Sequence, residues 1–301
     1  MRSLNQASGF AYAVLGAVCF SFKAIFVKLA YRYGVDAETL LALRMGYALP
    51  FFIVMAISVS RSDPRRLSAR DISMLLVLGI IGYYLSSYLD FLGLRYITAA
   101  LERLILFIYP TLVVLLSAAF LGKPVRPAMY PPMLLCYVGI ALAVSHDLNL
   151  AHAGSNVALG SMLVFGSTLL YALYLLLSGE EVHRLGATRV ASFATIVACV
   201  CSLAQFVAMR PAASLIQPWQ VHGLGLAMAV LSTVMPIWLV SVAMRRIGAG
   251  PTSMIGTLGP VLTILFGWVF LGESLGAIQI FGAILVIGGV LLISRQKPSG
   301  R

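Results

Sequence analysis

The sequence predicts an all-α membrane protein of ten transmembrane helices in two inverted five-helix repeats. Three observations lead there. The 301-residue chain is 60% hydrophobic and 10% charged, where average soluble domains carry about 25% charged residues. The stretch 91–125, FLGLRYITAALERLILFIYPTLVVLLSAAFLGKPV, returns 150 residues later without a gap as 241–275, SVAMRRIGAGPTSMIGTLGPVLTILFGWVFLGESL. Ten of the 35 paired positions are identical, among them Arg95/Arg245, Ile97/Ile247, Pro110/Pro260 and the Phe-Leu-Gly at 120–122 and 270–272. Third, each copy holds an odd number of apolar segments, so the second copy must lie in the membrane upside down relative to the first. Internal repetition decides architecture ahead of local detail.

A membrane span needs about 20 mostly apolar residues, and ten segments qualify: 10–31, 38–59, 73–94, 98–121, 128–146, 157–178, 190–209, 221–244, 251–271 and 277–294. They are continuously apolar and too long for the short alternating strands of a β-barrel. The first span carries Gly16, Cys19, Lys23 and Lys28; its apolar core outruns a signal peptide and no small-residue cleavage site follows, so it is read as retained. The second holds Arg44 and Pro50, and the third Tyr83, Tyr84, Tyr88 and Asp90. In the fourth, Glu102 and Arg103 precede Tyr109 and Pro110. Gly139-x-x-x-Ala143 in the fifth permits close helix approach, either within the chain or in a homodimer. The sixth keeps Gly166 at the repeat offset from Gly16 and ends near Glu180 and Glu181, which are expected to face solvent. Cys199 and Cys201 sit in the seventh, Pro236 and Trp238 in the eighth, Pro260 in the ninth, and Gly289, matching Gly139, in the tenth. Connections are short. The chain reads as one membrane domain, 1–301, with a first repeat at 1–147 and a second at 148–301.

The net charge of +11 is an orientation signal rather than a nucleic-acid surface. With a cytoplasmic N-terminus, fourteen basic residues fall on the inner side, from Arg2 through Arg61, Arg65, Arg66, Arg70, Lys123 and Arg126 to Arg184, Arg189, Arg245, Arg246, Arg295, Lys297 and Arg301. Only Arg32, Arg95 and Arg210 fall outside. This is the positive-inside bias, and it places both termini in the cytoplasm. Lys123 and Glu273 occupy the same repeat position with opposite charge, as loops on opposite sides should.

Enzyme chemistry finds no foothold. No Gly-Lys-Ser/Thr phosphate loop is present, the four His lie at span ends or in loops, and Cys199-Val-Cys201 lacks partners at metal spacing. No metal or cofactor is expected. What remains are the ionisable residues inside spans: Lys23, Lys28, Arg44, Asp90, Glu102 and Arg103. Such groups are costly in hydrocarbon and mark a cavity, a pair or a pathway. At 1.5 Å per residue, Lys23 lies about 20 Å from the start of its span and about 10 Å from its outer edge. Arg44, Asp90, Glu102 and Arg103 lie about 6–9 Å below that edge, in the same layer. Four cations against two acids favour a substrate bearing a carboxylate. Lys23, the deepest charge, is the candidate contact for it, with Arg44 and Arg103 beside it. Tyr88, Tyr109 and Trp238 are candidate amphipathic walls. Asp90 and Glu102 are candidates for ion coupling; the structural alternatives pair Asp90 with Arg44 or Arg103, or Lys23 with Asp90 or Glu102. Lys28, near its span end, is expected to reach for the interface. Glu102 and Arg103, about 100° apart on a helix, cannot both face one cavity squarely. Pro110 and Pro260 interrupt the helical ladder at matched positions and are candidate hinges, since broken helices in inverted repeats accompany alternating access.

The ten-span pattern, the duplicated Arg-x-Ile-x-Ala ahead of a Pro-centred helix and the Phe-Leu-Gly-Glu-Ser at 270–274 resemble the EamA family of the drug/metabolite transporter superfamily over nearly the whole chain. The resemblance implies two inverted five-helix copies, with spans 1–4 and 6–9 around a central cavity and spans 5 and 10 peripheral. It also implies export of amino acids or other small metabolites. Gly122-Lys123-Pro124 in the first copy departs from the Gly-Glu-Ser of the second, and Lys23 with Glu102-Arg103 is more charged than a generic member. The resulting expectation is a secondary transporter of the bacterial inner membrane. It would export small polar metabolites such as amino acids or related carboxylates by alternating access. An uncoupled channel or facilitator would use the same cavity, and a non-transporting scaffold would leave the in-span charges without a use.

Overall fold

Ten helices long and apolar enough to cross a bilayer run through the described residues of the computed structural model. It describes residues 2–63, 65–122, 124–150 and 156–295, with side chains left out at 2–7, 150, 249, 250, 253 and 295. They are α1 (Ser8–Tyr31), α2 (Ala37–Ser62), α3 (Ala69–Gly93), α4 (Ala99–Leu121), α5 (Pro127–Asn149), α6 (Val157–Leu185), α7 (Ala187–Met209), α8 (Trp219–Ile247), α9 (Met254–Leu271) and α10 (Ala277–Ser294). No strand occurs among the described residues. Lys123, Lys297 and Arg301 of the charge count lie outside the described residues.

The helices begin where local chemistry allows. Asp36, ahead of α2, accepts from the Thr39 amide at 2.8 Å and its hydroxyl at 2.9 Å. Ser68 and Asp71 form a reciprocal capping box at the start of α3, and Thr98 caps α4 through the Leu101 amide. Each such cap satisfies an amide that has no partner within its own helix. The repeated Phe-Leu-Gly has a backbone reason: Gly122 (φ 63°) and Gly272 (φ 70°) close α4 and α9 in the left-handed region, which a residue without Cβ adopts freely.

The packing obeys the repeat. α1 lies on α8 and α9, and its equivalent α6 lies on α3 and α4; the equivalent pairs α2/α7, α4/α9 and α5/α10 each meet face to face. The copies run in opposite directions. α1 starts at the end where Ser8 bonds Arg246, whereas the start of α6, at Gly160, packs against Tyr96 and Ile97 at the opposite end. The bundle therefore has an Arg-rich end, with Arg65, Arg184, Arg189 and Arg246, and a far end, where Asp36, Glu38, Asp147 and Glu273 gather with Arg32 and Arg210. The Gly139 stripe belongs to the chain's own α5/α10 contact: a Cβ on Gly139 would come 2.5 Å from the Gly282 carbonyl.

Two features differ from the sequence reading. Glu181 does not face solvent; it is buried and bonds Arg184 at 2.5 Å, whose guanidinium also reaches Asp71. α6 runs seven residues past the expected stop at 178 because its polar last turns find these partners instead of lipid. The prolines sit just after the interruptions rather than at them. α4 breaks at Ile108 (ψ 0°), between Ala99–Phe107 and Tyr109–Leu121, and α9 breaks at Thr257 (ψ −11°), ahead of Leu258–Phe266. Proline clashes with the carbonyl four residues earlier and is tolerated in a first turn, so the ladder yields upstream and Pro110 and Pro260 open the new segments. Pro50 sits within unbroken α2.

Candidate functional site

α3 and α8 each contain a stretch of π-helix at the 150-residue offset, Gly79–Leu85 and Val230–Val234. Such wide turns concentrate at functional positions. In α3 the wide turn seats Gly82 where a Cβ would lie 2.4 Å from the Tyr174 ring of α6. Below it the helix resumes as Ser86–Gly93 and carries Asp90 inward. In α8 it ends just before Pro236, and Thr233 within it turns its hydroxyl to the Met228 carbonyl and receives Arg44 Nε at 3.2 Å.

Three charges from three helices meet beside these breaks. Lys23 Nζ of α1 lies 2.7 Å from Asp90 Oδ2 of α3 and 3.1 Å from Glu102 Oε1 of α4. Glu102 is fully buried and Asp90 nearly so, while Lys23 keeps 16% of its side chain exposed. The two contacts are unequal. The Asp90 contact has hydrogen-bond geometry; the Glu102 contact is close enough for charge attraction, yet neither Glu102 oxygen is aligned with a donor. Asp90 Oδ1 is also left over. Lys23, the candidate carboxylate contact, thus already meets a neighbouring acid, and Asp90 pairs with it rather than with Arg44 or Arg103. Depth along a helix groups charges into one layer but does not distinguish partners within it.

The arginines bring spare donors. Arg44, 7% exposed, stacks its guanidinium 5.4 Å over the Phe91 ring and leaves Nη1 without a bond. Arg103 turns away from Glu102, as adjacent helical positions must, and lies against Gly259 of α9: a Cβ there would come 2.8 Å from its Nη2. Its Nε is buried without a partner. This places Arg103 between the interruptions of α4 and α9, within five residues of Ile108 and two of Thr257. Lys28 belongs elsewhere, bonding the Ile97 carbonyl at 2.7 Å with Glu273 at 3.9 Å. Without Lys28, the layer of Lys23, Arg44, Arg103, Asp90 and Glu102 has one net positive charge.

The aromatic candidates do not converge on one wall. Tyr109 edges onto Tyr171 at 5.5 Å, in a cluster where Tyr171 stacks on Tyr174 and Tyr174 meets the Tyr83 hydroxyl at 3.2 Å. Tyr88 donates to Glu38 at 2.9 Å, and Glu38 also takes Arg210 at 3.1 Å, a far-end network. Trp238 edges onto Tyr12 at 5.9 Å, eleven residues and so about 16 Å along α1 from Lys23. It is not brought to the charged layer. Nothing in the sequence pointed to Thr233, nor to the stacked pair Phe22 and Phe266, 4.3 Å apart, which joins α1 to α9 next to Lys23. Only the tertiary pairings, of α2 with α8 for Thr233 and of α1 with α9 for the two rings, would have signalled them.

α4 and α9 themselves meet through Ala99–Phe107 and Leu258–Phe266, their far-end halves. Beyond the breaks they part: Tyr109–Leu121 leans on α6 and α10, and Ala249–Gly256 on α1 and α8. Glu102 and Arg103 of the charged layer thus sit in the half of α4 that meets α9, just ahead of the point where the two broken helices part.

The model of the EamA-like transporter family matches residues 7–145 and again 158–295. The uncharacterized transporter YcbK of Bacillus subtilis (strain 168) is 31% identical over 300 residues, covering 96% of this chain and 92% of that one. The threonine/homoserine exporter RhtA of Salmonella typhimurium (strain SL1344) is 28% identical over 70% of this chain and 69% of its own length. The pseudopaline exporter CntI of Pseudomonas aeruginosa (strain UCBPP-PA14) is 27% identical over 96% and 97% respectively.

Proposed function

The chain belongs to the EamA-like transporter family of the drug/metabolite transporter superfamily, and on that premise we propose that it exports small zwitterionic metabolites of the amino-acid type by alternating access. The observation that carries this reading is the unfilled hydrogen-bonding capacity of one layer. Both Glu102 oxygens and Asp90 Oδ1 want donors; Arg103 Nε and Arg44 Nη1 want acceptors. Buried groups left this way cost roughly 1–3 kcal/mol each, more when charged, and a visiting molecule with an ammonium and a carboxylate answers both needs. In this reading the substrate ammonium goes to Glu102 and Asp90 and its carboxylate to Arg103. Lys23 positions the two acids and stabilises them when the site is empty. The single net positive charge of the layer favours a substrate whose carboxylate is its dominant group. The names of two relatives, a threonine/homoserine exporter and a pseudopaline exporter, support small metabolites as the cargo class and export as the direction.

Glu102 is the proposed coupling carboxyl. It shares one ammonium with Asp90 and holds the weaker claim on it, so proton uptake there leaves the 2.7 Å Lys23–Asp90 bond in place. The breaks at Ile108 and Thr257 let the halves of α4 and α9 pivot beside Arg103, exchanging the covered side for the open one. The positive-inside bias supports a placement of the Arg-rich end and both termini in the cytoplasm, with a bacterial inner membrane as the proposed location. The half-molecules 1–147 and 148–301 act as the two repeats of this cycle. The test is efflux of preloaded threonine, homoserine and simple carboxylates from cells or proteoliposomes. Movement of amino acids that Arg103→Ala and Glu102→Gln each reduce supports the assignment. Equal flux in both variants and the parent would remove it.

A further inference from the structure

At the far end, four amides of one helix start are divided among three side chains from three elements. Thr98 N donates to Asp147 Oδ2 of α5 at 3.1 Å, Leu101 N to the Thr98 hydroxyl at 3.1 Å, Ala99 N to Glu273 Oε1 at 2.8 Å and Ala100 N to Glu273 Oε2 at 3.3 Å. Asp147 and Thr98 belong to the first copy. Glu273 does not: it follows α9, 174 residues from Ala99, and it crosses from the second copy to the first. A single carboxylate spanning two successive amides at a helix N-terminus is a charge-assisted arrangement, favoured further by the helix dipole.

The surroundings strengthen the crossing. Lys28 of α1 stands 3.9 Å from Glu273 Oε1 and bonds the Ile97 carbonyl at 2.7 Å, and Arg32 donates to the Leu271 carbonyl at 2.7 Å. Glu273 itself is folded back over α9, its own amide donating to the Gly267 carbonyl at 3.2 Å. The ends of α1, α4 and α9 are thus tied at one point, directly above the Phe22–Phe266 stack. The repeat-related position of the first copy is Lys123, an ammonium that has donors and no acceptor and cannot serve helix amides. Correspondingly, α9's helical run starts after Gly248, which has no side chain to cap it, and its first turn contains no acid. One end of a two-fold design received an acceptor and the other a cation.

We propose that Glu273 is the latch that holds the far ends of α4 and α9 together, so that the far side opens only when its carboxylate leaves the first turn of α4. The asymmetry between Glu273 and Lys123 then makes the form with the far side covered the resting form. Release exposes the Ala99 and Ala100 amides to water, which takes over their bonds, so the latch biases the equilibrium without making opening prohibitive. The inference rests on the alternating-access reading above.

Its test is a distance. Spin labels on Arg95→Cys and Leu275→Cys, in full-length protein with Cys19 and Cys201 replaced by Ser and held in lipid nanodiscs, report the gap between the α3–α4 turn and the end of α9. Glu273→Ala is expected to add a longer population to the distance distribution. Ala99→Pro removes the better of the two donors from the opposite side, at the first helical position where proline is tolerated, and should lengthen the same distance. It keeps the test decisive should Glu273→Ala fold poorly. Parent-like distributions in every folded variant would overturn the latch. Because no substrate is needed, a protein that opens as described yet moves no amino acid would count against the transport reading and leave the latch standing.

Discussion

Lys23 and Asp90, 67 residues apart, form a 2.7 Å hydrogen-bonded ion pair within the membrane-spanning bundle, joining α1 to α3. Glu102 approaches the same ammonium at 3.1 Å. Two acids share one base, so the three residues do not contribute equally to the fold.

Lys23→Met leaves two buried carboxylates facing each other, whereas Asp90→Asn leaves a Lys23–Glu102 pair. Breaking a buried pair by removing one partner costs about 3–5 kcal/mol. Lys23→Met should therefore lower the melting temperature in detergent far more than Asp90→Asn, and Lys23→Met combined with Asp90→Asn should recover part of the loss. Equal, small losses in both single variants would show that the pair does not hold α1 to α3.

Arg103→Ala should weaken amino-acid binding at least about tenfold, the effect of losing one charge-assisted bond of 1.5–3 kcal/mol, while the protein stays folded. Arg103→Lys keeps the charge but not the planar fork and should fall between. Calorimetric titration with threonine checks both. Parent affinity in Arg103→Ala would move the carboxylate to Arg44.

Pro110→Ala and Pro260→Ala restore an amide donor just past the breaks at Ile108 and Thr257. Straightened helices should transport more slowly at unchanged folded yield. Transport at the parent rate in both would make the breaks a matter of packing alone.

The latch has a pH signature with a definite sign. Burial pushes the Glu273 carboxyl up, against the pull of Lys28 and of the Ala99 and Ala100 amides, and Asp147 adds to the rise. Facing it are Lys28 and Arg32 from α1, and Asp147 with His146 from α5. A carboxyl that binds its proton more tightly when covered than when open to water takes up a proton on closing. Lowering the pH through the range between the ordinary carboxylate value and the raised one should shorten the 95–275 distance, and raising it should lengthen it. Glu273→Gln retains an acceptor and cannot titrate, so its distance should not follow pH. A lengthening on acidification would reverse the assigned cause.

Much of this was legible in the sequence because it is periodic or duplicated. The ten spans follow from long apolar runs, the inversion from an odd count, and the αL closures of α4 and α9 from a repeated Phe-Leu-Gly. The charged layer was legible too, since depth follows from counting along a helix. Partner choice was not. Which acid meets Lys23 depends on the rotation and spacing of α1, α3 and α4, and charge depth carries no information about rotation. The π-helical turns at Gly79–Leu85 and Val230–Val234 were equally hidden, because only one of the two is followed by a proline, Pro236. Trp238 shows the converse error: residue type suggested a cavity wall, and packing against Tyr12 put it near the Arg-rich end.

The most direct test of the account is coupled flux in proteoliposomes, with labelled threonine and homoserine followed with and without an imposed pH gradient. Amino acids should accumulate against their gradient when the pH gradient is present, and Glu102→Gln should lose that dependence while keeping residual downhill flux. Flux that only equilibrates, whatever the pH gradient, in both the parent and Glu102→Gln would contradict it and leave an uncoupled facilitator.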